Sequence, residues 1–231
     1  MVPDEQSLTK QQNRITKDWK QELPRLGIHR PRHLLRRVGP LLVGVSLERD
    51  STNQRYTPTF HVHFLGNEKS SISLALGTRV LTHAGRWQGI IEVSAHNESY
   101  KDSVRRLVEQ APLSVEGPLT VPEVVAAYRK FSKTLQGQLQ IASLYQDCIK
   151  LLSCYGLADQ AHSMLTEILG DTEGDREFQH FKGRQSFIDR MNDAIEHPGK
   201  IWETLEQQIV LHKVGKLPYE EFVGAVPVGR T

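Results

Sequence analysis

An α+β fold is predicted by this 231-residue sequence: an N-terminal helix with a small, mostly antiparallel sheet of four or five strands, followed by an all-helical C-terminal half. Three observations predict it. Apolar residues recur at helical spacing up to Leu23, alternate residue by residue between about Leu41 and Ala95, and return to helical spacing beyond Val121.

The first helix is expected over Glu5 to Leu23. Leu8, Ile15, Trp19 and Leu23 form a narrow apolar stripe, Lys10, Arg14, Lys17 and Lys20 stand among the polar positions, and Pro24 stops the helix. The strands follow. Leu41, Val43, Val45 and Leu47 share one face of a run ending at Glu48, and Asp50 to Gln54 is turn chemistry. Thr59 to Phe64 alternates strictly, with Phe60, Val62 and Phe64 on one face and His61 and His63 on the other, the face expected to be wet. Pro58 near its start suggests an edge strand or a bulge. Ser71 to Leu76 and Gln88 to Ala95 complete the set, and His33 to Val38 is either a further strand or a helical turn after Pro31.

Asn97 or Ser99 can cap a helix running to Gln110. Residues 111–119, with two prolines and a glycine, break the periodicity and read as a linker between a sheet domain, 1–110, and a helical domain, 120–231. Thr120-Val121-Pro122-Glu123 is a capping-box pattern. Helices are then expected near 121–135, 138–153, 157–169, 184–196 and 199–213, punctuated by Gly137, Gly156, Gly170, Gly199 and Gly215. The short connection after residue 153 implies an antiparallel helical hairpin, but no second copy repeats it.

Composition is that of an ordinary globular chain, 38% hydrophobic and 24% charged, with a formal net charge of +2. That excludes disorder and the global signature of a nucleic-acid coat. The first twenty residues are polar, with no secretory signal, and no apolar run is long enough to cross a bilayer. Cys148 and Cys154, the only cysteines, have neither redox-pair nor zinc-knuckle spacing and read as buried free thiols. The expected location is cytoplasmic, with no membrane partner.

Among segments that can carry chemistry, Arg25 to Arg37 stands out. Arg25, Arg30, Arg32, Arg36 and Arg37, with His29 and His33, have no acid among them. Guanidinium forks at that density suit phosphate groups, an acidic protein surface, or the chain's own acids such as Asp171, Glu173 and Asp175. His61 and His63 are a weaker candidate pair for a metal, which needs a third ligand; Glu48, Glu92, His33 and His96 are the available donors. Phosphate-loop, dinucleotide, nucleophile-elbow and zinc-protease motifs are all missing. The apolar load between Phe181 and Val210 reads mainly as core, and the apolar tail from Phe222 as a segment tucked into a groove of its own chain or a partner's.

The expectation drawn from these residues is a non-catalytic interaction protein, an accessory subunit or adaptor of a larger assembly, with a protein partner and no cofactor. The alternative is a nucleic-acid-binding component using residues 25–37, and a lesser one a metal-dependent hydrolase using His61 and His63. Nothing in the sequence fixes the oligomeric state.

Overall fold

Trp19 decides how the first helix meets the sheet. A computed structural model describes residues 5–82, 88–171 and 176–230. In it α1 (Glu5–Glu22) buries Ile15 and Trp19, with Leu23 just beyond its end, as the stripe requires; the side chain of Leu8 lies outside the described residues. The sheet strands are β1 (Gly27–Arg30), β2 (His33–Val38), β3 (Leu41–Arg49), β4 (Arg55–Phe64), β5 (Ala75–Arg79) and β6 (Ile91–Glu92). Then comes α2 (His96–Gln110). The indole N–H of Trp19 donates to the Tyr56 hydroxyl at 3.2 Å, that hydroxyl meets His96 Nδ1 at 2.7 Å, and His96 Nε2 meets Asp18 at 3.0 Å. One buried chain of polar groups thus pins α1, β4 and α2 together, so none of these groups is stranded away from water.

The chain divides into two compact units, and it changes unit several times. The first holds Met1–His63, Ser73–Pro118 and Lys216–Glu220; the second holds Phe64–Ile72, Leu119–Gly215 and Glu221–Thr231. The proline-containing stretch up to Pro118 therefore belongs with the sheet, and Leu113 and Val115 are buried.

Within the first unit, neighbouring strands run β1-β2-β3-β4-β5 in one antiparallel path, with β6 on β4 and the two-residue β7 (Tyr219–Glu220) parallel to β2. His33–Val38 is a strand, registered from His33 opposite Ser46 to Val38 opposite Leu41. Pro58 falls where the partner of β4 changes from β6 to β5, so its missing N–H interrupts no ladder there, and the register slips by a bulge between Phe60 and Val62. Two strands differ from expectation. The one expected at Ser71 begins at Ala75, because the amide and hydroxyl of Ser73 are both engaged by His63 Nδ1 at 2.9 Å instead of by a ladder. The one expected over Gln88 to Ala95 shrinks to Ile91–Glu92, since the amides of Ala95 and His96 already bond back into the turn that starts α2.

The second unit is helical: α3 (Val121–Ser132), α4 (Leu135–Gln138), α5 (Ile141–Cys154), α6 (Ala158–Asp171), a 3-10 turn (Arg176–Phe181), α7 (Arg184–Glu196) and α8 (Pro198–His212). The capping box at Thr120 and Glu123 forms in full. α5 is the central helix, contacting α3, α6, α7 and α8. Gly156, at φ +70°, turns the chain out of α5 in a conformation an L side chain rarely takes, and α5 and α6 then lie against each other as a hairpin. Cys148 and Cys154 are both buried and free. The apolar tail docks on its own unit: Phe222 packs edge-on against Tyr155, Val228 N donates to Cys154 O at 2.8 Å, and Trp202 Nε1 donates to Val228 O at 2.8 Å. No helix among the described residues is long and apolar enough to cross a membrane.

The pairing of β2 with β3 leaves no room at Gly44, opposite Leu35, where a Cβ would stand 2.0 Å from Leu34 O. Gly44→Ala is expected to destabilise the protein by about 3 kcal/mol through forced backbone separation. Urea unfolding of the two proteins checks it, and an unchanged midpoint would contradict this register.

Candidate functional site

The five arginines do not form one patch. On a strand, successive side chains point to opposite faces, so Arg36 and Arg37 part company. Arg36 is 1% exposed. Its guanidinium pairs with Glu220 and donates to Ser114 O at 3.0 Å and Gly117 O at 2.6 Å. Burial, and then the charge of Arg25, pull its pKa down to about 10, so it stays charged. Arg37, also buried, lies over the Tyr219 ring at 4.7 Å. Arg25 stands partly exposed on the same acids as Arg36, its amide bonded to Glu116 Oε1 at 2.8 Å and its guanidinium 3.8 Å from Glu220. Arg30 sits against His29 at 3.0 Å in an exposed position. Arg32 turns the chain between β1 and β2 at φ +71°, its amide donating to Thr16 Oγ1 at 2.9 Å. The acids that answer this segment are Glu116 and Glu220. Glu173, Asp175 and the side chain of Asp171 lie outside the described residues.

His61 and His63 are on the face expected to be wet, and both are fully buried. Alternation marks them as solvent-facing, but a bulge between Phe60 and Val62 interrupts that alternation and every side chain from Thr59 to Phe64 is buried. His33 approaches His61, with ring centroids 5.7 Å apart. The other candidate donors are engaged elsewhere: Glu48 with Arg79, Glu92 with Arg55, and His96 with Asp18 and Tyr56. Among the described residues no group of three His, Cys, Asp or Glu is placed to hold a metal ion. Both ring nitrogens of His61 are buried without a partner among the described residues. Burial, and then the neighbouring His33 and His63, hold its pKa down at about 3; burial and the charges of Arg30, His29 and Arg32 hold His33 at about 4.

The second unit carries two features that helical periodicity does not mark. The first is a polar network at the heart of its packing. Asn67 donates to Asp147 at 2.6 Å, Tyr128 donates to the same carboxylate at 3.3 Å, and Lys150 donates to Asn67 Oδ1 at 2.7 Å and Gly66 O at 3.1 Å. Burial raises Asp147 to about 6 against the pull of Lys69 and Lys150. Gly66 allows the approach, since a Cβ there would come within 2.5 Å of both Ile201 and the Phe64 ring. Asn67 was invisible as a participant because nothing in a loop asparagine shows which helix it will meet.

The second feature is α4. Leu135 and Leu139, one helical turn apart, are 85% and 88% exposed, the highest values among the exposed large apolar residues described. The turn beneath them is firmly built. Thr134 caps it by accepting from Gly137 N at 3.0 Å, and Gly137 is wedged so closely that a Cβ would stand 2.0 Å from Phe131 O.

No family model, curated protein or solved structure matches this chain. The geometry alone carries the functional argument.

Two outcomes are expected. Arg36→Met strands two carbonyls and leaves half-exposed Glu220 to Arg25 alone, and should cost about 1–3 kcal/mol of unfolding free energy, whereas Arg30→Gln should leave the urea midpoint in place. Acid should also find the histidines. The unfolded chain takes protons at His33 and His61 near pH 6.5 while the folded chain refuses them. Stability at these two sites is therefore full above pH 6.5 and is lost as pH falls toward 4. Asp147 works in the opposite sense between 6 and 3.8, where the folded state holds the extra proton. Between pH 7 and 5, His61→Phe should lose about 2 kcal/mol less than the parent. Equal losses in urea titrations at the two pH values would mean that His61 takes up its proton in the folded state.

Proposed function

We propose that the protein is a non-catalytic interaction protein, an accessory subunit or adaptor of a larger assembly, that offers α4 to a protein partner. The observation that supports this reading is the pair Leu135 and Leu139, held out on a capped four-residue turn. Burying an exposed leucine is worth about 1.5–3 kcal/mol, so two of them at i and i+4 make a compact anchor for an apolar groove. Thr134 and Gly137 fix the turn before any partner arrives, which reduces the ordering that binding would require.

Nucleic-acid binding through residues 25–37 draws less support. Arg36 donates its guanidinium to acceptors of its own unit and Arg37 stacks on Tyr219, which leaves Arg25, Arg30 and Arg32 as the exposed or half-exposed charges. A cytoplasmic address fits two buried, unpaired thiols.

A photo-crosslinking side chain placed at Leu135 should trap a discrete partner in cells of the natural host, and the same group at exposed Glu196 should not. Leu139→Glu in the first protein should abolish the adduct while leaving the thermal midpoint unchanged. Absence of any adduct at Leu135, or equal labelling from Glu196, would overturn the reading.

A further inference from the structure

A cavity of about 640 Å³ opens in the helical unit above the Asn67–Asp147–Lys150 network. Four separate stretches build its wall: the 64–72 loop supplies Lys69, α5 supplies Lys150, α7 supplies Arg190 and α8 supplies Lys200. Against these four cations stand two acids of the lining, Glu68 and Asp193, so the rim carries a net charge of 4 − 2 = +2 with His180 neutral. Lys200 is 2.6 Å from Asp193. Lys69 and Arg190 line the cavity without a direct ion pair to a carboxylate among the described residues, although Lys69 acts on the buried Asp147 from a distance.

Lys150 is the deepest of the four. Its ammonium spends two donors on Gly66 O and Asn67 Oδ1, and a lysine has three. The remaining proton is available to whatever fills the space. Burial pulls its pKa down against the opposing charges of Asp147, Cys154 and Glu68, and the Arg190 charge adds the smallest share to that pull. Lys150 and Arg190 both line the cavity, so an anion placed there is drawn to both.

We infer that this cavity binds the phosphate group of a small molecule. A lone carboxylate presents two oxygens and one charge. A phosphate monoester presents three acceptor oxygens that share about two negative charges, which suits cationic heads arriving from four directions, with the Gln146 amide as a neutral donor. The volume lies in the range of small-molecule sites rather than of a groove that tracks a polymer. Phe181 and Ile201 on the wall give an organic body somewhere to lie. The site is remote in sequence from Leu135 and Leu139 and goes beyond the proposed docking role.

Calorimetric titration of the full chain at about 0.05 M salt, where charge is weakly screened, tests the inference with two probes, inorganic phosphate and phenyl phosphate. Both are expected to bind at one site. Tighter binding of phenyl phosphate assigns the occupant to phosphate esters, and equal binding assigns it to the free anion. Arg190→Gln and Lys200→Gln, both at exposed positions, should each weaken binding by about ten-fold, and Lys150→Met should abolish it with the helical circular dichroism retained. Arg30→Gln, in the other unit, should leave it unchanged. Failure of both probes to bind the parent protein, or equal weakening by Arg30→Gln, would overturn the site.

Discussion

The buried guanidinium of Arg36 is the constraint on which the sheet unit depends. A charge removed from water must be answered by fixed acceptors, and Arg36 takes them from two distant stretches: the carbonyls of Ser114 and Gly117, and the carboxylate of Glu220. The turn that presents the two carbonyls is itself tied, Gly117 N donating to Ser114 Oγ at 2.7 Å. Tyr219 and Glu220 then complete the edge of β2 beyond β1, and Gly27 fits against Leu217 and Pro218 with no space for a side chain. One arginine thus specifies where three parts of the chain meet.

The same logic runs through the rest of the structure. Two further chains of buried polar groups are each held by partners from another element. Trp19, Tyr56, His96 and Asp18 join two helices to β4, while Tyr128, Asp147, Asn67 and Lys150 join α3 and α5 to the 64–72 loop. Apolar packing could tolerate small shifts of these elements, but directional bonds at about 3 Å cannot. Position is therefore fixed by the hydrogen bonds and stability largely by the leucines, valines and aromatics around them.

Periodicity carried the element types far. The stripe of Ile15, Trp19 and Leu23 and the capping box at Thr120 each describe a local preference that the fold respects. Local preference says less about what covers a face. His61 and His63 alternate with apolar residues just as solvated positions do, and they are buried because the sheet is covered on both sides. The arginine segment shows the same limit. Five like charges in thirteen positions look like a patch, yet strand alternation, a left-handed turn at Arg32 and two glutamates far along the chain disperse them. Leu135 and Leu139 were hidden in the opposite way: their spacing suits a core stripe, yet the short turn of α4 leaves both exposed.

Arg36 and Glu220 are 184 residues apart, and that distance sets a timetable during synthesis. When the strands leave the ribosome, the guanidinium has no carboxylate to meet and the edge of β2 has no β7 beside it. Neither arrives until the helices between them have been translated. The amino-terminal unit is therefore completed after the helical one has had its chance to collapse, so the chain does not mature strictly from its first residue to its last. In the interval the backbone of Arg37 and Val38 on that side of β2 has no strand beside it, the kind of open edge that invites pairing with another chain.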